Sequence, residues 1–544
     1  MLPTLPAAPG GDANFGGWRD ETLMTADLRA GPPTRRTTFL GLAGLGLTGL
    51  ATASGCRLAV DEARGATGDS GAHRGGTLTI AMNLDARPVA AQAHQAQSVV
   101  WRRMVFETLT EYDAAGIPRP LLATSWKITD GGRTVALRLR DDVRFHSGRP
   151  MTSKDVIFSL KRTADPVAVT QARAVSAHIT DMTADGDHAL RIRLGRPAGN
   201  LFDMFELASI LDRESAAGLA SGKEVVGTGP FAWRSWAPGS HLTLVRNRYF
   251  RTRGRPYLDR IDMPCITDPT ALVTAVRSGR ADIAYGAAPL DAKGLSRDDR
   301  YVIDLGTAVD YAVSMDVRAH PFDKPEVRRA VGYALDRERV LSQVFAGYGR
   351  ASSLWWTDKE PGWSREQSDA YTYDRTRARR MIEQSGAKGA EVMIDVIAVQ
   401  AALAAAQIVR YDLSAAGLSV RTRVLDPIDF SARQAAGKLG HMFINGYGIA
   451  DLSAATLVGA HPAFAATNSS HFHTPEYTAA INRAATASSG ERKAAVRALG
   501  AYMQRHAFSQ SIATTRSAII RSKRARGLGL TYLGCPRLDN TYLV

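Results

Sequence analysis

The sequence predicts a mixed α/β protein with several sheets. The chain has 544 residues, of which 45% are hydrophobic, and this is enough material for more than one core. Some stretches alternate apolar and polar residues, as strands do, while others repeat apolar residues at helical spacing. No internal repeat of fixed period occurs in the chain, so a solenoid is not expected.

The first predicted elements follow residue 75. In Gly75–Asp85, Leu78 and Ile80 alternate with threonines, which predicts a strand. The stretch Gln92–Thr110 carries its apolar residues on one helical face, so we predict a helix there.

A second strand and helix pair follows in the next segment. Thr134–Gly148 alternates apolar residues with alanine and arginine, the pattern of a half-buried strand. Thr152 or Ser153 is predicted to cap the next helix, with Asp155 in its first turn.

Two further α/β regions are predicted, at 225–310 and from 311 to about 517. The second of them contains two predicted helices, Pro325–Phe345 and Thr376–Gly386. Strands are predicted around 392–399.

The charge of the chain does not indicate a nucleic-acid partner. The net charge is +15, with arginine far more common than lysine. The arginines are scattered singly and are not interleaved with aromatic residues, as a nucleic-acid groove requires. We therefore expect no nucleic acid as a partner, and a surface that faces anionic lipid accounts for the charge.

An apolar run near the start of the chain has the layout of an export signal. Phe39–Ala53 is 15 residues long, shorter than the about 20 that a lasting membrane span needs. Arg35 and Arg36 precede it and small residues follow it. Gly44–Gly49 fits a dinucleotide-binding pattern, but no predicted strand precedes it, so that reading is rejected.

The end of this run resembles a bacterial lipobox, in which Cys56 becomes the lipidated first residue. Ala53 stands where the lipobox pattern prefers leucine. The arginine pair resembles a twin-arginine signal, yet Thr38 interrupts the motif, so the general secretory route stays open. Residues 1–56 are thus predicted to be an export signal, with a true start at Met24 as an alternative, and 57–74 a flexible tether.

The remaining cysteines, Cys265 and Cys535, form no C-x-x-C pair. In an exported protein they would either form one disulfide or remain two unrelated buried thiols, and the sequence leaves both alternatives open.

Catalytic motifs are missing from the chain. Ser385 and Lys388 fit S-x-x-K, but they end a predicted helix and lack the partner motifs. No enzyme activity and no cofactor are predicted. A metal site built from His461, His471 and His473 is kept as an alternative.

Four long segments resemble one family, the family 5 extracellular solute-binding proteins of ABC importers, which includes dipeptide, oligopeptide and nickel receptors. They occur in the family's order and contain its G-T-G-P-F turn and its P-F-x-x-x-x-V-R block. These segments are Pro118–Thr134, Leu137–Arg162, Gly227–Phe250 and Pro321–Gly349.

The resemblance implies a two-lobed periplasmic-binding-protein-like fold of type II, with an extra inserted domain and a ligand cleft between the lobes. The implied parts are a first lobe of 75–112, 225–310 and 521–544, an inserted domain of 113–224, and a second lobe of 311–520.

The resemblance also implies a site around Asp451. The family's peptide receptors carry an aspartate in a segment similar to Ile449–Val458, where the carboxylate pairs with the ligand's amine. Tyr447 and Ser453 lie close to it in sequence. The family's tryptophan is replaced by Gly448, and the alternative for Asp451 is a helix N-cap or an exposed acid in a turn.

Further candidate ligand contacts lie elsewhere in the chain. Trp355 and Trp356 lie in a region that often lines the cleft in this family, and packing in the lobe is their alternative role. Asn83 and Asp85 resemble the family's first cleft-edge loop.

These observations predict a receptor that captures a peptide or peptide-like solute and passes it to an ABC permease by lobe closure. The expected partners are the permease transmembrane subunits with their ATPases, together with a lipid anchor. The expected location is the outer face of the cytoplasmic membrane. The alternatives are a nickel or metallophore receptor of the same fold and an extracellular enzyme.

Overall fold

The computed structural model describes residues 73–544 apart from 167 and 169. The export signal, Cys56 and most of the tether lie outside these residues. The helices are α1 (Arg102–Val105), α2 (Ser153–Ala164), α3 (Arg173–Ser176), α4 (Leu201–Leu207), α5 (Pro269–Arg277), α6 (Pro289–Leu295), α7 (Pro325–Ala334), α8 (Arg337–Gln343), α9 (Arg365–Ser368), α10 (Arg375–Gln384), α11 (Gln400–Ala415), α12 (Pro427–Ala435), α13 (Ala454–Ala460), α14 (Pro475–Thr486) and α15 (Ser489–His506).

The strands are β1 (Thr77–Met82), β2 (Thr110–Tyr112), β3 (Pro118–Pro120), β4 (Ala123–Thr129), β5 (Thr134–Leu139), β6 (Ile179–Ala184), β7 (Ala189–Leu194), β8 (Phe231–Ala237), β9 (His241–Arg246), β10 (Arg260–Pro264), β11 (Ile283–Tyr285), β12 (Tyr301–Met315), β13 (Gly349–Ala351), β14 (Glu391–Ile397), β15 (Ser419–Leu425), β16 (Met442–Gly448), β17 (Ser509–Ser522), β18 (Ala525–Arg526), β19 (Gly529–Leu530), β20 (Pro536–Arg537) and β21 (Tyr542–Leu543).

The largest sheet consists of two groups of strands joined by two long ones. Its order is β15-β14-β16-β12-β17-β11-β1-β10-β9-β8, with β13 paired to β17. Strands β12 and β17 are antiparallel to each other and have 15 and 14 residues. Strand β17 pairs with β11 through Ile519–Arg521, and β12 pairs with β16 through Val309–Met315, so β11 and β16 join opposite ends of the β12–β17 pair.

The register between β12 and β17 shifts between Leu305 and Ala308. An irregularity of this kind bends the strands locally. The sheet therefore has two halves, β15-β14-β16 and β11-β1-β10-β9-β8. The bend lies in β12 and β17, the two strands that connect them.

A separate four-stranded antiparallel sheet, in the order β4-β5-β7-β6, lies between residues 123 and 194. Helix α2 packs beside it and begins as the sequence predicts. Thr152 N donates to the Asp155 carboxylate at 2.9 Å, which stabilises the first turn. The boundaries of the inserted domain and of the two lobes stay a prediction.

The helix predicted over 92–110 is largely wrong. Only α1 is helical there, and the residues before it form turns. Gln92 explains part of the difference, because its side chain donates to the Ser159 and Ser209 carbonyls at 3.0 Å each. These long-range contacts hold the backbone in a non-helical path.

The single helix predicted over 325–345 is two helices. Its backbone is extended at Leu335, and the Asp336 side chain caps α8 by accepting from Arg339 N at 3.0 Å. Both ends of helix α10 and the start of strand β1 lie within two residues of the predicted positions. Strand β1 ends at Met82, three residues before the predicted end.

Cys265 and Cys535 are both free thiols, so the disulfide alternative is wrong in this structure. Within the described part of the chain, no helix combines the length and apolar character that crossing a bilayer requires.

Candidate functional site

The candidate site centres on the turn between β16 and α13. Ile449 has a left-handed backbone with a φ of 66°, which a β-branched residue rarely adopts. Thr357 N donates to the Ala450 carbonyl at 3.0 Å and holds the turn from the opposite loop. A buried, strained turn of this kind is typical of functional sites.

Asp451 in this turn is 2% exposed and its carboxylate is fully engaged. Arg516 donates through both terminal nitrogens at 2.9 Å, and Lys359 Nζ donates at 2.9 Å. Thr357 Oγ1 donates at 2.8 Å. Burial alone would raise the pKa of Asp451, but the Arg516 and Lys359 charges outweigh burial and leave the pKa below its usual value.

Lys359 links this turn to the C-terminal segment of the chain. Its ammonium donates to the Tyr532 carbonyl at 2.8 Å and lies 4.0 Å from the centre of the Tyr532 ring. The Tyr532 ring in turn packs against Tyr112 at 5.2 Å. Thr357 and Arg516 also line a surface groove of about 310 Å³.

Ser453 connects the same turn to α4. It caps α13 by accepting from Thr456 N at 3.1 Å, and its hydroxyl donates to Asp203. Thr456 Oγ1 and Tyr112 OH donate to the same carboxylate at 2.6 and 2.7 Å. Asp203 therefore joins the 453–456 segment to the segment that carries the four-stranded sheet.

A third group of polar side chains lies beside Gly448, at the end of β16. His94 Nδ1 is 3.4 Å from Arg102 Nη2 and 3.9 Å from Cys535 Sγ. The His94 ring carbon Cδ2 lies 3.6 Å from the point that a Cβ on Gly448 would occupy. The glycine at the end of β16 thus faces His94 directly.

Three of the predicted contacts are buried in the core. Tyr447 is 3% exposed, and its ring packs against His461 and Phe464 at 4.9 Å each. Trp355 and Trp356 are 1% and 0% exposed, and Trp355 Nε1 donates to Ser509 Oγ at 3.3 Å. Their ligand role stays a prediction, and in this conformation all three serve as packing residues.

Asn83 and Asp85 lie with the other half of the sheet. Asn83 packs against Gly286, where a Cβ would be 2.0 Å from its side-chain oxygen. Asp85 accepts from Trp236 Nε1 at 2.9 Å and from Gly239 N at 2.8 Å. The structure therefore does not bring Asp85 to Asp451.

The three histidines of the metal alternative each have a different partner. His461 Nε2 lies 3.1 Å from the Gly448 carbonyl, and His473 Nδ1 lies 3.0 Å from that of Ala466. His471 Nδ1 lies 3.2 Å from Asp316. Among residues 73–544 without 167 and 169, no group of three His, Cys, Asp or Glu side chains could hold a metal ion, so the predicted trio is wrong.

Sequence reasoning missed the partners that surround Asp451 and Gly448. Arg516, Lys359, Asp203, His94 and Arg102 are single residues outside any motif, far apart in the chain. One indication was available: Gly448 replaces a large aromatic residue, and such a replacement leaves room for a side chain from elsewhere.

Comparison with known proteins places this geometry in a family. The model of the bacterial extracellular solute-binding proteins, family 5 Middle, matches residues 118–460. The probable di/tripeptide-binding protein 5 of Pseudomonas aeruginosa is 26% identical over 358 residues, 59% of this chain and 67% of that protein. The chain spans about half to two thirds of the length of the curated relatives it matches.

Solved structures share the fold at lower identity. DppA of Helicobacter pylori, in complex with the peptide STSA, superposes with a TM-score of 0.76 at 21% identity, covering 87% of this chain and 98% of that one. NikZ of Campylobacter jejuni, in complex with Ni(L-His), has a TM-score of 0.71 at 19% identity, covering 84% and 97%. These matches confirm the predicted two-lobed α/β fold. Since the family model matches more than half of the chain, the protein belongs to the bacterial extracellular solute-binding proteins of family 5.

Proposed function

We propose that this protein is the substrate-binding component of an ABC importer that captures a peptide or peptide-like solute outside the cell. The observation that carries the proposal is a set of contacts between residues distant in the chain, in which Lys359 and Gly448 meet Tyr532 and His94. We call these residues and their neighbours the contact zone. A buried polar zone across a bend is what a closing receptor needs.

The names of the relatives support the class of ligand. The Pseudomonas aeruginosa relative is called a di/tripeptide-binding protein, and the Helicobacter pylori structure holds a peptide. In the proposed mechanism, a solute that contacts both halves favours the closed state, and a membrane permease with its ATPases recognises that state.

The proposed location is the outer face of the cytoplasmic membrane. Export through residues 1–56 by the twin-arginine or general secretory route, and lipidation of Cys56, would tether the receptor beside its permease. Labelled palmitate supplied to the native host should enter the wild type but not Cys56→Ser. Equal labelling of Cys265→Ser and wild type is the control, because that thiol lies in the folded body.

The ligand class is tested by denaturing protein purified from its own host and identifying the released small molecules by mass spectrometry. Peptides or peptide-like compounds at close to one per protein are expected, and isothermal calorimetry should show that they rebind. Nickel at one per protein would contradict the proposal and favour the metal-receptor alternative.

A further inference from the structure

One buried cation of the contact zone has no carboxylate in direct contact with it, although the Glu206 carboxylate and the Cys535 thiol favour its charge from nearby. The Arg102 side chain is 0% exposed, and no carboxylate in the described part of the chain lies within 4.0 Å of it. The next residue, Arg103, lies 3.5 Å from both Glu111 and Glu206. Buried charges in proteins are normally paired, so the isolation of Arg102 requires an explanation.

Internal hydrogen bonds leave one N–H of Arg102 without a partner. Its Nη1 donates to the Leu207 carbonyl at 2.8 Å, Nη2 faces His94 Nδ1 at 3.4 Å, and the Cys535 sulfur is a weak acceptor beside the guanidinium, while Nε has no partner. Arg337 is a useful contrast, because it is also buried without an ion pair, yet all three of its nitrogens reach oxygen acceptors on Ser511, Gly332 and Gln510. Arg337 therefore has a hydrogen-bond partner for each nitrogen, as a purely structural arginine does, whereas Arg102 has an unused Nε.

His94 adds a second free donor beside Arg102. Its Nδ1 faces the Arg102 guanidinium, which can only donate, so Nδ1 accepts and the ring proton lies on Nε2. Burial and the Arg102 charge lower the pKa of His94 well below its usual value, which keeps the ring neutral. His94 Nε2 has no partner, so the pair offers two unused N–H donors.

These donors lie at the contact zone. The His94 carbon Cδ2, bonded to Nε2, lies 3.6 Å from the point that a Cβ on Gly448 would occupy. Gly448 is three residues before Asp451 on the same turn. A ligand group held here would therefore lie next to the turn that the resemblance indicates as the binding segment.

Asp451 offers no free acceptor for a ligand amine. Two cations already bind this one carboxylate, so the cluster of Asp451, Arg516 and Lys359 carries one net positive charge. Together with Arg102, the zone presents positive charge and N–H donors, which suit an anion.

We propose that the cleft selects solutes that carry a carboxylate, received by Arg102 and His94 Nε2, and that it requires no free α-amine because Asp451 serves as the internal counter-ion of Arg516 and Lys359. The inference rests on the proposed function and narrows its ligand class to carboxylates such as N-acylated peptides. It assigns to Arg102 and His94 the specificity that the family resemblance would assign to Asp451.

The test compares three probes on the wild-type protein by isothermal calorimetry: dialanine, N-acetyl-dialanine and dialanine amide. N-acetyl-dialanine should bind within about threefold of dialanine, while the amide should bind about 100-fold more weakly, as expected when a buried charge loses its partner. The same comparison is made with the material released from denatured native protein, after acetylation of its amines or methyl esterification of its carboxylates.

Variants assign the discrimination to one residue. Arg102→Gln should remove the preference for N-acetyl-dialanine over the amide, and Arg102→Lys should retain part of it because the charge remains. Arg337→Gln is the matched control: it removes another buried arginine, 6% exposed and outside the contact zone, and should lower stability without changing the ratio of affinities. This ratio is a readout that a general loss of folding would not reproduce.

Each outcome decides between the two proposals. Binding of the amide with loss of the N-acetyl form overturns this inference and leaves the proposed function intact. An unchanged affinity ratio in Arg102→Gln also overturns it. If no probe and none of the released material binds, the proposed function fails together with the inference.

Discussion

Replacing Asp451 by asparagine should destabilise the fold strongly. The substitution removes the charge that balances Arg516 and Lys359, and Asp451 accepts four hydrogen bonds in a site that is 2% exposed. Breaking a buried ion pair by changing one partner costs about 3–5 kcal/mol. With an unfolding entropy of about 2.1 cal/mol/K per residue over roughly 470 residues, a loss of about 4 kcal/mol lowers Tm by about 4 °C.

The pH dependence provides a second check on Asp451. Its pKa in the folded protein lies below the usual value of 3.8, so the stabilisation is fully present above about pH 4 and is lost as the pH falls through the folded pKa. The Tm difference between wild type and Asp451→Asn should therefore be constant between pH 5 and 7 and should shrink below pH 4.

Differential scanning fluorimetry measures both effects, with Asp358→Asn as the matched control. Asp358 lies in the neighbouring loop and pairs with Arg350 at 3.3 Å, but its side chain is 54% exposed. An exposed pair contributes about 0–1 kcal/mol, so the control should melt within about 1 °C of wild type. Equal Tm values for the two variants would refute the counter-ion role of Asp451.

Three further predictions concern other residues of the contact zone. Burial raises the pKa of Glu206 to about 7, so the stabilisation from its bound proton is lost as the pH rises through 7. The Tm of wild type relative to that of Glu206→Gln should therefore fall between pH 5 and 8, and a constant Tm difference would contradict this. Gly448→Trp should lower the affinity for released native ligand at least about tenfold and lower Tm by about 1–3 °C, because the indole would overpack the space of the buried His94. Unchanged calorimetric affinity would show that this space is not at the site. Ser453→Ala should lower the free energy of unfolding in urea by about 1–2 kcal/mol through loss of the α13 cap and of the Asp203 contact, whereas the exposed Ser431→Ala should change it by less than about 0.5 kcal/mol.

The local parts of the fold could be predicted because their causes are local. The Asp155 carboxylate accepts from Thr152 N within one turn, so four consecutive residues determine the start of α2. The non-helical stretch that begins at Gln92 could not be predicted, since its hydrogen-bond partners Ser159 and Ser209 are distant in the chain. Helical periodicity was present there, and tertiary hydrogen bonds overrode it.

The candidate site shows the same limit. Asp451 was located by resemblance, but its alternative as an N-cap is wrong, because Ser453 caps α13. Its charge partner Arg516 comes from β17, and only the pairing of β17 with β12 brings that arginine to the turn. A motif can indicate the carboxylate, but it cannot show that two cations already bind it.

The path of β12 and β17 has a consequence for the order in which the sheet can fold. Val309 and Thr515 are paired across these strands, so one half of the sheet is a continuous stretch of chain whose ends meet. The other half needs Ile519–Arg521 to pair with β11, and these residues follow the stretch from Val309 to Thr515 in the chain. The half that contains β11 therefore cannot be completed until that intervening stretch has been synthesised, so the folding of the two halves is coupled.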